Sequence, residues 1–193
     1  MRNGAGMART RWAVIAALGM LSALATPGLA GATVSVALSL DEMVDHADHV
    51  ALVTCESAQA SRDDRGRIVT DYALRVEESM KGDGGGTLTM RSLGGVIGDL
   101  GMRVEGEPHP ELGRRYVVFL ERRGGQLRAV GMSQGVMPVT EQGGTLTVAP
   151  GGAGMSLVQR VRGGQLSPAP AALLHPEPYL ELRTRIGARV SGE

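Results

Sequence analysis

Residues 68–82 read Ile-Val-Thr-Asp-Tyr-Ala-Leu-Arg-Val-Glu-Glu-Ser-Met-Lys-Gly, and the middle of this stretch alternates strictly. Thr70, Tyr72, Leu74 and Val76 fall on one face of an extended segment, with Asp71, Ala73, Arg75 and Glu77 on the other. Successive side chains of a strand point to opposite faces, so the pattern demands a long strand with one buried and one wet face. Gly82 and the run Asp83-Gly84-Gly85-Gly86 then supply turn chemistry. Whatever else the chain does, it must build a sheet around this strand.

The rest of the chain repeats the theme. Glycine occurs 29 times in 193 residues and aromatic residues make up only 3%, so a core must come from Val, Leu, Met and Ala. The glycines fall in pairs between apolar runs, which indicates many turns and an all-β chain. Strands are expected over 50–58, 68–80, 87–92, 102–104, 116–120, 127–130, 136–140 and 145–148, with 33–38 as an edge strand. Ahead of them Ser39 and Glu42 form a capping box, with Leu38 and Met43 placed as a hydrophobic staple, so a short helix begins there. Residues 149–178 are rich in proline, glycine and alanine and lose periodicity, the composition of a linker. From 179 to 193, Tyr179, Leu182, Ile186 and Val190 recover helical spacing, with Glu181 and Arg185 as an i,i+4 pair. The expected fold class is mainly β: a small barrel over 33–148, one short N-terminal helix and a C-terminal helix that docks back or meets a partner.

Residues 1–32 read as a signal peptide. Arg2, Arg9 and Arg11 precede an apolar run over 12–25, Pro27 and Gly28 break it, and Ala30-Gly31-Ala32 offers a small-x-small cleavage site. Cleavage is expected after Ala32, giving an exported protein, periplasmic or extracellular. It removes three arginines and no acid, and leaves 17 basic against 20 acidic residues, a net charge of −3. The run is short for a membrane span, so no stable span is expected after cleavage. Cys55 is the single cysteine, so no internal disulfide forms. No basic patch is interleaved with aromatic residues, which argues against nucleic acid as a partner.

Five segments together resemble a group of uncharacterised exported bacterial proteins: S-L-D-E-M-V-D-H-A-D-H-V-A-L-V-T, I-V-T-D-Y-A-L-R-V-E-E-S-M-K-G, G-G-V-I-G-D-L-G-M-R-V-E-G-E-P, L-G-R-R-Y-V-V-F-L and V-G-M-S-Q-G-V-M-P-V. The resemblance spans 39–139 and carries no established activity. Ala47-Asp48-His49-Val50 and Met80-Lys81-Gly82 are also distantly similar to the layout of netrin-like modules and tissue inhibitors of metalloproteases. That similarity implies an OB-like barrel of five to seven strands. It does not imply their inhibition, which uses an N-terminal cysteine on zinc, held by disulfides.

Candidate chemistry is sparse. Gly131-Met132-Ser133-Gln134-Gly135 matches the G-x-S-x-G pattern and makes Ser133 a candidate nucleophile, but that elbow needs a helix after it and a strand-like segment follows. A turn is the competing reading. His46 and His49 stand three apart at the end of the first helix and would share a face there, as candidate metal ligands with His109 or His175 as a possible third; a solvated helix end is the alternative. Glu105, Glu107, His109 and Glu111 form an acidic loop without calcium-loop spacing. The best candidate binding surface is the wet face of the long strand and the loop that enters it: Arg62, Arg65, Arg67, Asp71, Arg75 and Glu77. The sequence thus points to an exported, non-enzymatic β-barrel module without a cofactor, binding a protein or cell-envelope component. The alternative is an exported hydrolase using Ser133 or a histidine-bound metal.

Overall fold

A computed structural model describes residues 34–152, 155–173 and 175–192. The expected signal peptide lies outside the described residues. The strands, in chain order, are β1 (Val34–Val36), β2 (His49–Arg62), β3 (Ile68–Lys81), β4 (Thr87–Leu93), β5 (Gly95–Ile97), β6 (Leu100–Met102), β7 (Arg115–Arg123), β8 (Gln126–Ala129), β9 (Val136–Gln142), β10 (Thr145–Val148), β11 (Ser156–Arg160), β12 (Leu166–Pro168) and β13 (Glu177–Pro178). Among the described residues two α-helices accompany them, α1 (Leu40–His46) and α2 (Tyr179–Ser191). The chain is mainly β, as the alternation and the glycine turns require.

The long β2–β3 hairpin is the spine. It pairs from Val50 opposite Lys81 to Arg62 opposite Ile68. Register shifts at Val50/Ala51, Leu52/Val53 and Cys55/Ser57 bend it, because each extra residue increases local twist. On β3, Thr70, Tyr72 and Leu74 are buried and Val76 half-buried, while Arg75 and Glu77 are exposed. The large sheet runs β13-β10-β9-β7-β2-β3-β4-β8. β8 joins β4 in parallel at one residue pair, Met90 opposite Leu127, and also pairs antiparallel with β7. Two further sheets, β1-β11-β12 and β5-β6, flank it.

The apolar run of β7 has no wet side because both faces of the sheet are covered there. Val117 and Phe119 join Val50, Leu52, Met137 and Val139 under the two helices, which contribute Leu40, Met43, Val44, Tyr179, Leu182 and Ile186. Tyr116, Val118 and Leu120 point the other way, into a second core with Val53, Cys55, Tyr72, Leu74, Met90 and Leu127. The capping box at α1 is present in full: Ser39 Oγ accepts from the Glu42 N–H, and Glu42 accepts from the Ser39 N–H. The Ser39 N–H, and after it the Ser39 hydroxyl, which donates to the same carboxylate at 2.8 Å, hold the Glu42 carboxyl below the usual range. Lys81 Nζ donates to the Val44 carbonyl at 2.6 Å and closes the other end of α1.

Two expectations change. Arg185 pairs with Glu177, at 2.9 Å, and not with Glu181, because Glu177 at the start of β13 lies within reach of its fork. The stretch 149–178, expected as a linker, carries β11, β12 and β13. β11 pairs in parallel with β1, and β13 extends the large sheet beside β10. Backbone pairing needs no side-chain alternation, so these short strands leave no period in the sequence.

Candidate functional site

The expected binding face is present but engaged with itself. Asp63 organises the 63–67 turn: Oδ1 accepts the N–H groups of Arg65 and Arg67 at 3.0 and 2.8 Å, and Oδ2 meets the Arg67 guanidinium at 2.7 Å. The Arg67 guanidinium, first among these partners, holds the Asp63 carboxyl below its ordinary range. Arg62 Nη1 donates to the Gly66 carbonyl at 2.9 Å. Asp71 accepts a bidentate pair from Arg91 at 2.7 and 2.6 Å. Beyond it an ion-pair ladder crosses four strands: Glu56 to Arg75 at 2.8 Å, Arg75 to Glu77 at 3.7 Å, Glu77 to Arg115 at 3.2 Å, and Arg115 to Glu141 at 2.7 Å. Of the six residues, only Arg62 and Arg65 lack an acidic or basic side-chain partner among the described residues. Exposed pairs of this kind contribute little stability, about 0–1 kcal/mol each, but they neutralise the face.

The histidine pair does not form a site. Helix α1 ends at His46, with Ala47 as its cap in extended backbone, so His49 begins β2 and the two rings do not share a helical face. Asp48 terminates the helix: its N–H donates to the Leu120 carbonyl, and its carboxylate accepts the Arg122 N–H at 2.6 Å. Gly82, at φ +85°, lies so close that a Cβ there would stand 2.4 Å from the Asp48 carbonyl oxygen. The segments Ala47–Val50 and Met80–Gly82 therefore meet to fasten α1 to the long hairpin, which is a structural role. Among the described residues no group of three or more His, Cys, Asp or Glu could hold a metal ion.

A hollow on this face is wide and shallow, and a more enclosed one lies away from it. A cleft of about 340 Å³ lies between the 103–114 loop, the start of β9 and the Pro150-Gly151-Gly152 strip. It brings together Arg103, Glu105, His109, Glu111, Arg114 and Ser133. The loop is held by groups that looked solvated in the sequence. Glu107 accepts from Ser92 Oγ at 2.7 Å and from the Leu93 N–H at 2.9 Å, which ties it to β4. His109 Nδ1 is 3.3 Å from the Tyr72 hydroxyl, and the Tyr116 hydroxyl accepts the Glu111 N–H at 2.8 Å. Arg103 pairs with Glu105, and Arg114 with Glu111, both on the rim. Sequence reasoning found the loop's acids and His109 but not the arginines or the strip opposite. Those meet only because β9 and residues 150–152 fold back across the loop.

Ser133 lies in this cleft without the surroundings of a nucleophile. Met132–Gly135 is a single 3-10 turn, and strand β9 follows it where an elbow needs a helix. The Ser133 hydroxyl contacts the Met155 sulfur at 2.9 Å, its N–H donates to the Gly106 carbonyl, and its carbonyl accepts the Gly152 N–H. The buried side chain of the motif is that of Gln134. Its Oε1 accepts the Leu38 N–H at 3.1 Å, and its Nε2 donates to the carbonyls of Val36 and Gly131 at 3.0 and 3.2 Å. Cys55 is fully buried, and burial pushes its thiol up, away from the reactive thiolate.

The chain's three tyrosines, Tyr72, Tyr116 and Tyr179, share one property. Burial, the largest cause in each case, raises all three hydroxyls, Tyr72 to about 12. A raised folded pKa favours the protonated fold, so this contribution is complete below the unfolded tyrosine value of about 10 and is lost as pH rises through the folded value. Absorbance titration at the tyrosinate band is expected to show no tyrosine ionising near its ordinary pH, and ionisation above it should coincide with loss of the circular dichroism of the fold. A tyrosine titrating normally while the fold persists would contradict this burial.

No protein-family model matches this chain, and no curated protein matches its sequence. No helix among the described residues is long and apolar enough to cross a membrane.

Proposed function

We propose that the chain is an exported bacterial binding module, freed of its leader after Ala32 and without catalytic activity, that holds a protein or cell-envelope partner in the 103–114 cleft. The ring of pairings from β7 through β2, β3, β4 and β8 back to β7 supports an OB-like barrel as the scaffold, in keeping with the distant similarity to netrin-like modules. In OB-type barrels, loops between strands and one sheet face carry ligands. Here that face is neutralised by its own ion pairs, so the concave cleft, with charges of both signs on its rim, is the better surface. The observation that carries the non-enzymatic reading is the Ser133 hydroxyl. It rests on Met155, with no hydrogen bond to His109 among the described residues, so the cleft lacks the nucleophile–base contact that acyl transfer needs.

The test pairs capture with catalysis. Immobilised protein is incubated with an envelope extract beside an Arg103→Ala/Arg114→Ala variant, and both are assayed against a broad ester panel with Ser133→Ala. Retention of one component near stoichiometry, lost in the double variant, is the expected result. Ester turnover abolished by Ser133→Ala would replace this reading with the hydrolase, and retention unchanged in the double variant would remove the cleft from it.

A further inference from the structure

The small sheet β1-β11-β12 presents a face that nothing in the described chain covers. Its register places Val34 beside Ser156, Val36 beside Val158, Val158 beside Pro168, and Arg160 beside Leu166, so these side chains share one side. The opposite side is the inner one, because Ser35 lies there, 3.4 Å from the buried Gln134 amide. The outer side is therefore apolar and wet: Val34 is 59% exposed, Val36 53% and Leu166 56%. Apolar residues scattered singly over a surface are ordinary, but neighbours in register on one sheet face make a patch, and patches mark contact surfaces.

Charge narrows what that surface can meet. From Gln142 to Pro176 the sequence contains no Asp or Glu, and its only full charges are Arg160 and Arg162. Both arginines are exposed, and neither has an ion-pair partner among the described residues. Residues 33–40, which supply β1, carry no charge at all. By contrast, the chain from residue 33 onward holds 20 acids against 17 basic residues. Elsewhere ten arginines are matched to carboxylates, as in the ladder across β2, β3, β7 and β9, and Arg62, Arg65, Arg122 and Arg128 are without such a partner among the described residues. An acid-free face with exposed aliphatic side chains and two unmatched arginines suits a surface that is apolar just beneath a layer of negative charge.

We propose that the outer face of β1-β11-β12 is a docking surface for anionic phospholipid. Val34, Val36 and Leu166 enter the boundary between headgroups and acyl chains, and Arg160 and Arg162 pair with headgroup phosphates. The contact is peripheral and reversible, and it orients the barrel on a membrane without a spanning segment. It goes beyond the partner reading above and does not depend on what the cleft holds.

Co-sedimentation of the leader-free chain with vesicles tests it. Phosphatidylglycerol vesicles are compared with phosphatidylcholine vesicles at low and high salt. Binding to the anionic vesicles, weakened by salt, is expected. At roughly a factor of five per arginine, from about 1 kcal/mol for each cation at an anionic surface, Arg160→Glu/Arg162→Glu should bind at least about thirtyfold more weakly. Val34→Ser/Val36→Ser, checked for an unchanged circular dichroism spectrum, should also bind more weakly. The Arg103→Ala/Arg114→Ala cleft variant should bind the vesicles as the parent does, which separates this surface from the cleft. Equal partition onto both vesicle types, or no effect of the arginine variant, overturns the proposal. A concentration-dependent dimer that the Val34/Val36 variant abolishes, without vesicle binding, would instead assign the face to a second copy of the chain.

Discussion

Replacing Phe119 by alanine is expected to lower stability by about 3–5 kcal/mol, the usual cost of emptying a fully buried aromatic site. Phe119 is the only phenylalanine of the chain and has no exposed surface. It sits at the centre of β7, on the side covered by α1 and α2, among Leu52, Met137, Leu182 and Ile186. The site cannot collapse easily, because β7 is paired on both edges, to β2 and to β9, and its backbone cannot move inward. Small domains have a total stability of about 5–15 kcal/mol, so this one change should remove a large part of it. Urea unfolding followed by circular dichroism checks it through a lower midpoint at unchanged slope. Val96→Ala, at a side chain 69% exposed, is the control and should shift stability by less than about 0.5 kcal/mol. A Phe119→Ala effect below about 1 kcal/mol would mean that the helix pair does not close this side of the sheet.

The second large effect separates two neighbours in the same motif. Gln134→Ala should cost about 2–3 kcal/mol, since it strands the Leu38 N–H and the carbonyls it served in a region where Gln134 itself is 3% exposed. Backbone also packs close around the side chain: a Cβ at Gly152 would lie 3.2 Å from the Gln134 Cγ and one at Gly131 3.2 Å from its Nε2, so water has little room to replace the amide. Ser133→Ala loses only a contact to a thioether and should cost less than about 1 kcal/mol. Thermal unfolding of the two variants side by side measures the difference. If Ser133→Ala proved the more damaging, the assignment of Gln134 as the clamp between β1 and the 3-10 turn would be wrong.

That pair of residues shows where the sequence could and could not be read. The G-x-S-x-G pattern drew attention to the serine because its chemistry is local and familiar. The glutamine is the residue with the demanding environment, and nothing local marks it, since its partners Leu38, Ser35 and Val36 lie about a hundred positions away. The same holds for the charged face of β3. Alternation placed Asp71, Arg75 and Glu77 outward correctly, yet whether they were available to a ligand depended on Arg91, Glu56 and Arg115 arriving on neighbouring strands. His46 and His49 failed for a nearer reason. Helical spacing stops three residues short of His49, at a helix that ends where its apolar stripe ends and where Asp48 turns the chain into β2.

By itself the sequence determined the elements: the alternation of β3, the unbroken apolar run of β7, the capping box of α1 and the amphipathic spacing of α2. These are set by interactions within a few residues, or by one residue's need for a dry or a wet side, and such needs leave a period in the chain. Only the tertiary structure decided which strands lie side by side, and therefore which charges cancel, which acids of the 103–114 loop are spent on β4, and which apolar face is left without a neighbour. Those outcomes depend on contacts between residues far apart in the chain, whose free energy is realised only after the strands have paired, and no local pattern records them.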